Sequence, residues 1–164
     1  MRAIFSKKDI EDNNELTYDF FECISDLMYD ESVQRLDFYK QHCNTSRLQH
    51  SINVSYYSFL VCRYFGWDAR SAARAGLLHD LFFYDWRDGE VSGKEHVFNH
   101  PKVSLENAQK LTSLNKVEKD AIIKHMWPCT IRFPRYKESY VVTIVDKLCA
   151  ASEACGNKIK EAFA

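Results

Sequence analysis

Apolar residues recur at three- and four-residue intervals through most of this chain, and no stretch sustains a two-residue alternation. The pattern predicts helices. A long helical stretch runs from about Asn14 to Tyr39 with a break near Asp30. A second helix begins near Ser46, where Ser46 and Gln49 fit a capping box. It carries Leu48, Ile52, Phe59 and Leu60 on one apolar stripe and stops at Gly66. Asp68 caps a third helix, ARSAARAGLLHDLF, whose small Ala72, Ala75 and Gly76 let neighbouring backbones come close, with His79 and Asp80 near its C-terminal end. The segment from Tyr84 to Asn99 reads as a loop broken by Gly89 and Gly93, and Pro101 as the first residue of a fourth helix with His100 at its cap. Asn115 and Glu118 open a fifth helix that ends at HMWP, because the residue before a proline is biased away from helical dihedrals. A last helix starts near Ser139 and is predicted to stop at Gly156. The expectation is an all-α bundle of about six helices, with residues 14–164 as one domain behind a polar segment, 1–13.

Composition narrows the reading. In 164 residues there are five glycines and three prolines, too few for many short strands and turns. A formal net charge of -1 argues against a surface that gathers many phosphates, so no nucleic acid polymer is expected as a partner. A small anionic substrate stays open, because a bound metal brings its own positive charge. The six cysteines are scattered without a C-x-x-C pair, which suits reduced thiols in a cytoplasmic protein. The opening MRAIFSKKDIEDNNE lacks the apolar core of a secretion signal. No apolar run approaches the roughly 18 residues that span a membrane.

Chemistry enters through His50, the pair His79-Asp80, His100, His125 and Asp146, spaced at helix-length intervals. Any one of these histidines is more often a hydrogen-bonded core residue than a ligand; the set carries the argument. Asp146 lies inside VVTIVDKLCAA, and burying its charge costs several kcal/mol unless it is paired or metal-bound. Several helices each contributing one imidazole or carboxylate to a common ion suit Mn, Fe, Co, Ni or Zn, and such a site activates water.

The ordered residues His50, His79-Asp80 and Asp146 resemble the signature of the HD superfamily of metal-dependent phosphohydrolases. LLHDLFFYDWR, HPKVSLENA and IIKHMWP look like a bacterial branch of it, and the resemblance covers about residues 42–155. It implies an all-α HD-domain helical bundle around a metal site. Dinuclear members add two histidines between HD and the last Asp, the places of His100 and His125. In mononuclear members the four signature residues, here His50, His79, Asp80 and Asp146, hold one ion; by the dinuclear resemblance, favoured here, His50, His79 and Asp146 hold one divalent transition metal, His100 and His125 a second, and Asp80 bridges them. The Gly and Lys that follow HD in the HD-GYP phosphodiesterases are replaced by Leu81-Phe82-Phe83, and His125-Met126 stands where those enzymes pair two histidines. The arginine and threonine pockets of the dNTP hydrolases are not traceable.

The implied activity is hydrolysis of a small phosphate ester, a mono- or diester with a nucleotide as one option, by metal-activated water. Asp80, Lys147 and Asp85 are the catalytic candidates, Asp85 as a general acid for the leaving group. Arg132 and Arg135 are candidate phosphate holders, and Trp127 a candidate stacking surface. Tyr84, Asp85, Trp86 and Arg87 would form a lid or wall, while His42 and His96 read as surface or supporting residues. The same ligands serve mixed-valent di-iron oxygenases of the superfamily, such as myo-inositol oxygenase, and a non-catalytic regulatory module is the third option. Oligomeric state is open.

Overall fold

The computed structural model describes residues 15–42, 45–85 and 93–162. Helix α1 (Glu15–Met28) is followed by a short α2 (Glu31–Gln34) and a 3-10 turn (Arg35–Phe38). Strands β1 (Lys40–His42) and β2 (Thr45–Ser46) then lead into α3 (Arg47–Tyr64), α4 (Ala69–Leu78), α5 (Gly93–Leu111), α6 (Lys116–Lys124) and α7 (Lys137–Ala162). The fold is all-α, as the hydrophobic pattern predicts, with seven α-helices among the described residues rather than about six. The polar segment 1–13 lies outside those residues.

Most boundaries follow from side chains that satisfy helix termini. Asp30 accepts from Ser32 N at 2.8 Å, which places the predicted break between α1 and α2. Ser46 accepts from Gln49 N at 3.2 Å, but the Gln49 amide turns to Asn53 at 3.0 Å, so only half of the expected capping box forms. Gly66 follows α3 with φ 65°, a left-handed conformation that favours glycine, and Asp68 caps α4 through Ser71 N at 2.9 Å. Asn115 and Glu118 make the full reciprocal box at the start of α6.

Four expectations need correction. A two-stranded antiparallel ladder pairs Lys40 with Ser46 and His42 with Thr45, too short to show periodicity. The third helix ends at Leu78, leaving His79 as its C-cap instead of running on to Phe82. Helix α5 begins at Gly93, not at Pro101, which lies inside it; tertiary packing of His96 and His100 against Phe82, at centroid distances of 5.2 and 5.4 Å, holds the turns that precede the proline. Gly156 does not stop α7, because an isolated glycine costs a helix only about 1 kcal/mol.

Helix α4 is the centre of the bundle, packed by α1, α3, α6 and α7. It is short and lined with Ala72, Ala73, Ala75 and Gly76, all buried, so its neighbours approach closely. A Cβ on Gly76 would stand 2.7 Å from Ser55 Cα, so the α3–α4 crossing requires glycine here. Around this crossing Phe20, Ile24, Leu36, Phe59, Leu77, Leu81 and Ile122 form a dry core. No helix among the described residues is long and apolar enough to cross a membrane.

Candidate metal centre

Helix ends aim the chemistry inward. At the close of α4, His79 Nδ1 donates to the Gly76 carbonyl at 2.8 Å, one of the terminal carbonyls without an intrahelical partner. His125 does the same at the close of α6, donating to the Ile122 carbonyl at 2.8 Å. His100, within α5, donates from Nδ1 to the His96 carbonyl at 2.7 Å. His50, on α3, donates from Nδ1 to the Glu153 carboxylate of α7 at 2.9 Å. All four rings are buried, and in all four the committed Nδ1 leaves Nε2 facing inward.

Those Nε2 atoms fall into two groups with the two aspartates. His50, His79 and Asp146 form one: His50 Nε2 is 3.1 Å and His79 Nε2 3.6 Å from Asp146 Oδ1. Asp80, His100 and His125 form the other: Asp80 Oδ1 is 3.4 Å from His100 Nε2 and 3.5 Å from His125 Nε2. Asp80 Oδ2 points the other way, 3.6 Å from His79 Nε2. One carboxylate thus divides its oxygens between the groups, the arrangement expected of a bridge.

The donor set fits a pair of cations. Among the described residues His79 Nε2 and Asp80 Oδ1 are buried without a hydrogen-bond partner, an arrangement that costs roughly 1–3 kcal/mol per group unless a ligand satisfies it. His100 Nε2 and His125 Nε2 stand 2.9 Å apart, lone pair to lone pair when both rings are neutral. Two donors about 2.1 Å from one ion, at angles of roughly 90–115°, are about 3.0–3.5 Å apart, close to the spacings found here. The electrostatics differ between the groups. Burial alone would lower the His50 pKa, but Asp146 and Glu153 hold it up at about 10. Burial and the neighbouring His100 and His79 push His125 down to about 3. Burial raises Asp80 and Asp146, yet the surrounding imidazoles keep both carboxyls well below the usual range.

The remaining predicted residues are placed unevenly. Lys147 lies at the edge of the site, its Nζ donating to Asp146 Oδ2 at 2.7 Å and to the His125 carbonyl at 2.8 Å. Asp85 is half-buried on the stretch after Asp80, close enough to act electrostatically on Arg47 and His96. Tyr84 hydroxyl lies 3.3 Å from His96 Nδ1, and the His96 ring stacks on that of the candidate ligand His100 at 4.4 Å. Trp127 is half-buried and packs on Phe133 and Tyr140 at 5.6 and 5.9 Å. Arg132 and Arg135 are exposed, and neither guanidinium hydrogen-bonds a described residue. Trp86 and Arg87 lie outside the described residues, as does the His42 side chain.

Four neighbours escape the sequence reading. Glu153 orients His50 and is itself held by Asn53 Nδ2 at 3.0 Å. Arg47, fully buried, donates to the Phe82 carbonyl at 2.6 Å, the Tyr84 carbonyl at 3.2 Å and Gln41 Oε1 at 2.9 Å, and Gln41 in turn donates to Asp80 Oδ2. Arg47 and Asn53 lie one turn either side of His50, and Glu153 two turns beyond Asp146, so each shares a face with a candidate ligand, but nothing local marks its distant partner.

Two comparisons bear on this geometry. The model of the HD domain family matches residues 47–151. Ribonuclease Y of Aquifex aeolicus (strain VF5) is 30% identical over 127 residues, 77% of this chain; the chain spans only 21% of that protein's length. No solved structure matches the chain.

Proposed function

The chain belongs to the HD domain family, a superfamily of metal-dependent phosphohydrolases, and on that footing we propose that it hydrolyses a small phosphate ester with two divalent transition-metal ions. His50, His79 and Asp146 would hold one ion, His100 and His125 the other, with Asp80 between them. The observation that carries this reading is the division of the Asp80 oxygens between the two ligand groups. Divalent cations held there supply Lewis acidity toward a phosphoryl oxygen and bring the pKa of water toward neutrality.

The chain's own residues do the rest. Gln41 and the Nδ1 hydrogen bonds hold the ligands in place, so little reorganisation is left for the reaction itself. Lys147 spends two of its three N–H donors on Asp146 and the His125 carbonyl, leaving the third for a phosphate oxygen. Asp85 stays the candidate to protonate a leaving group. Arg132 and Arg135 are less well placed to hold phosphate, because their side chains are exposed. A relative named as a ribonuclease keeps phosphodiesters alongside monoesters among the substrates to try.

The test is metal content by mass spectrometry on protein purified without air, followed by phosphate-release screens on mono- and diesters with Mn or Co. About two ions per chain with phosphate release is the expected result. Absence of bound metal even after reconstitution would overturn the reading. Iron-dependent oxygen consumption without phosphate release would replace it with the oxygenase.

A further inference from the structure

Of the four ligand histidines, His79, His100 and His125 are steadied by backbone carbonyls of their own helices, and His50 alone by a carboxylate, brought from α7. Resting on the metal-site reading above, we propose that Glu153 is a positioning residue that acts through His50 to make the His50–His79–Asp146 position the tighter of the two. The two positions then fill in order. Glu153 is not placed as a ligand: Oε2 accepts from His50 Nδ1 at 2.9 Å and Oε1 from Asn53 Nδ2 at 3.0 Å. Asn53 is itself fixed by Gln49 at 3.0 Å, so a chain of hydrogen bonds along α3 sets the angle of the carboxylate.

The chemistry follows from the acceptor. An anionic carboxylate behind an imidazole raises its basicity as a ligand more than a neutral carbonyl does, and fixes both tautomer and ring plane. At 2.9 Å the contact is a charge-assisted hydrogen bond, and the Glu153 side chain is almost wholly buried, so solvent screens it little. Helix α7 delivers both groups on one face: Asp146 to the ion side of His50 and Glu153, seven residues on, to its far side. Glu153 lies two residues beyond the stretch that matches the HD family model, so the contact is not part of that stretch.

Titration of the metal-free full-length chain with manganese(II) chloride, followed by calorimetry and by the electron paramagnetic resonance signal of free ion, tests this. Wild type should show two steps of unequal affinity. Glu153→Gln keeps an acceptor for His50 but removes the charge, and should weaken the tight step about 10–100-fold while leaving the other unchanged. Helicity by circular dichroism should not move. Asn53→Ala, which leaves the carboxylate but loosens it, should give a smaller loss in the same step and serves if Glu153→Gln does not fold. Two equal steps in wild type, loss of both steps together with thermal stability, or no change in either variant would overturn the proposal while leaving the phosphohydrolase reading intact. A wild type that binds no manganese at all would overturn both.

Discussion

His100 and His125 meet with their Nε2 atoms 2.9 Å apart, although they lie on different helices and each has its Nδ1 engaged by a carbonyl. Neither ring can turn away to relieve the contact without giving up that bond. A cation between the two rings, as proposed, would resolve it. His125→Ala should therefore lower metal content from two ions to one per chain, with the loss confined to the group of Asp80, His100 and His125. Mass-spectrometric metal analysis reads this directly, and unchanged stoichiometry would remove the second position.

Asp80 presents one oxygen to each group, so its removal should be felt by both. Asp80→Ala is expected to abolish stoichiometric metal binding and to cut phosphate release by at least ~10³-fold, roughly 4 kcal/mol of transition-state stabilisation. The far-UV circular dichroism should stay helical, since Asp80 follows α4 rather than packing within it. Activity kept at near wild-type level would exclude Asp80 from the chemistry.

Gly76 opposes two magnitudes. Alanine in place of a helix-interior glycine gains about 1 kcal/mol of intrinsic propensity. Here the new Cβ would meet Ser55 Cα at 2.7 Å and Ser55 N at 2.8 Å, and backbone cannot rotate aside. Overpacking of this kind costs roughly 1–3 kcal/mol, so Gly76→Ala should lower the melting temperature and, by displacing the end of α4 beneath His79, weaken metal binding as well. A higher melting temperature would contradict the close crossing.

The thiols should divide by burial. Burial, helped by nearby carboxylates, pushes Cys62 and Cys149 up to about 12, whereas Cys129 and Cys155 are exposed. Alkylation of native protein at about pH 8 should modify Cys129 and Cys155 and spare Cys62 and Cys149, as peptide mass mapping would show. Because the unfolded thiols ionise near 9.0 and the folded ones near 12, the unfolded chain releases its protons first. Stability is therefore undiminished by these groups below about pH 9 and falls as pH rises toward 12. Full labelling of Cys62 in the folded state would contradict this.

What could be read from the chain, and what could not, divides along physical lines. Caps at Asp30, Asp68 and Asn115 act over two or three residues, so their helices were legible; so was the stop at Gly66, where a left-handed residue is needed. The start of α5 was not, because the turns before Pro101 are held by Phe82, distant in sequence. Of the six candidate ligands, His50, His79, His125 and Asp146 stood out as polar residues among apolar neighbours, whereas Asp80 and His100 were marked by their place in the ordered set. Their supports did not stand out: Glu153 is 103 residues from His50, and a glutamate near the end of a helix has no local mark of partnership. Arg47 looked like any first-turn arginine until its fork closed on the carbonyls of Phe82 and Tyr84.

His79 and His125 are the residues at which α4 and α6 end, so both helices finish at the candidate metal centre. Each such terminus carries the negative pole of its helix dipole, equivalent to roughly half an electron charge. Two of them converging add about one negative charge that no side chain provides and no pH removes. The backbone itself thus favours cations at this spot, ahead of any choice of ligand, and an anionic substrate of the kind proposed would be attracted only once cations were in place.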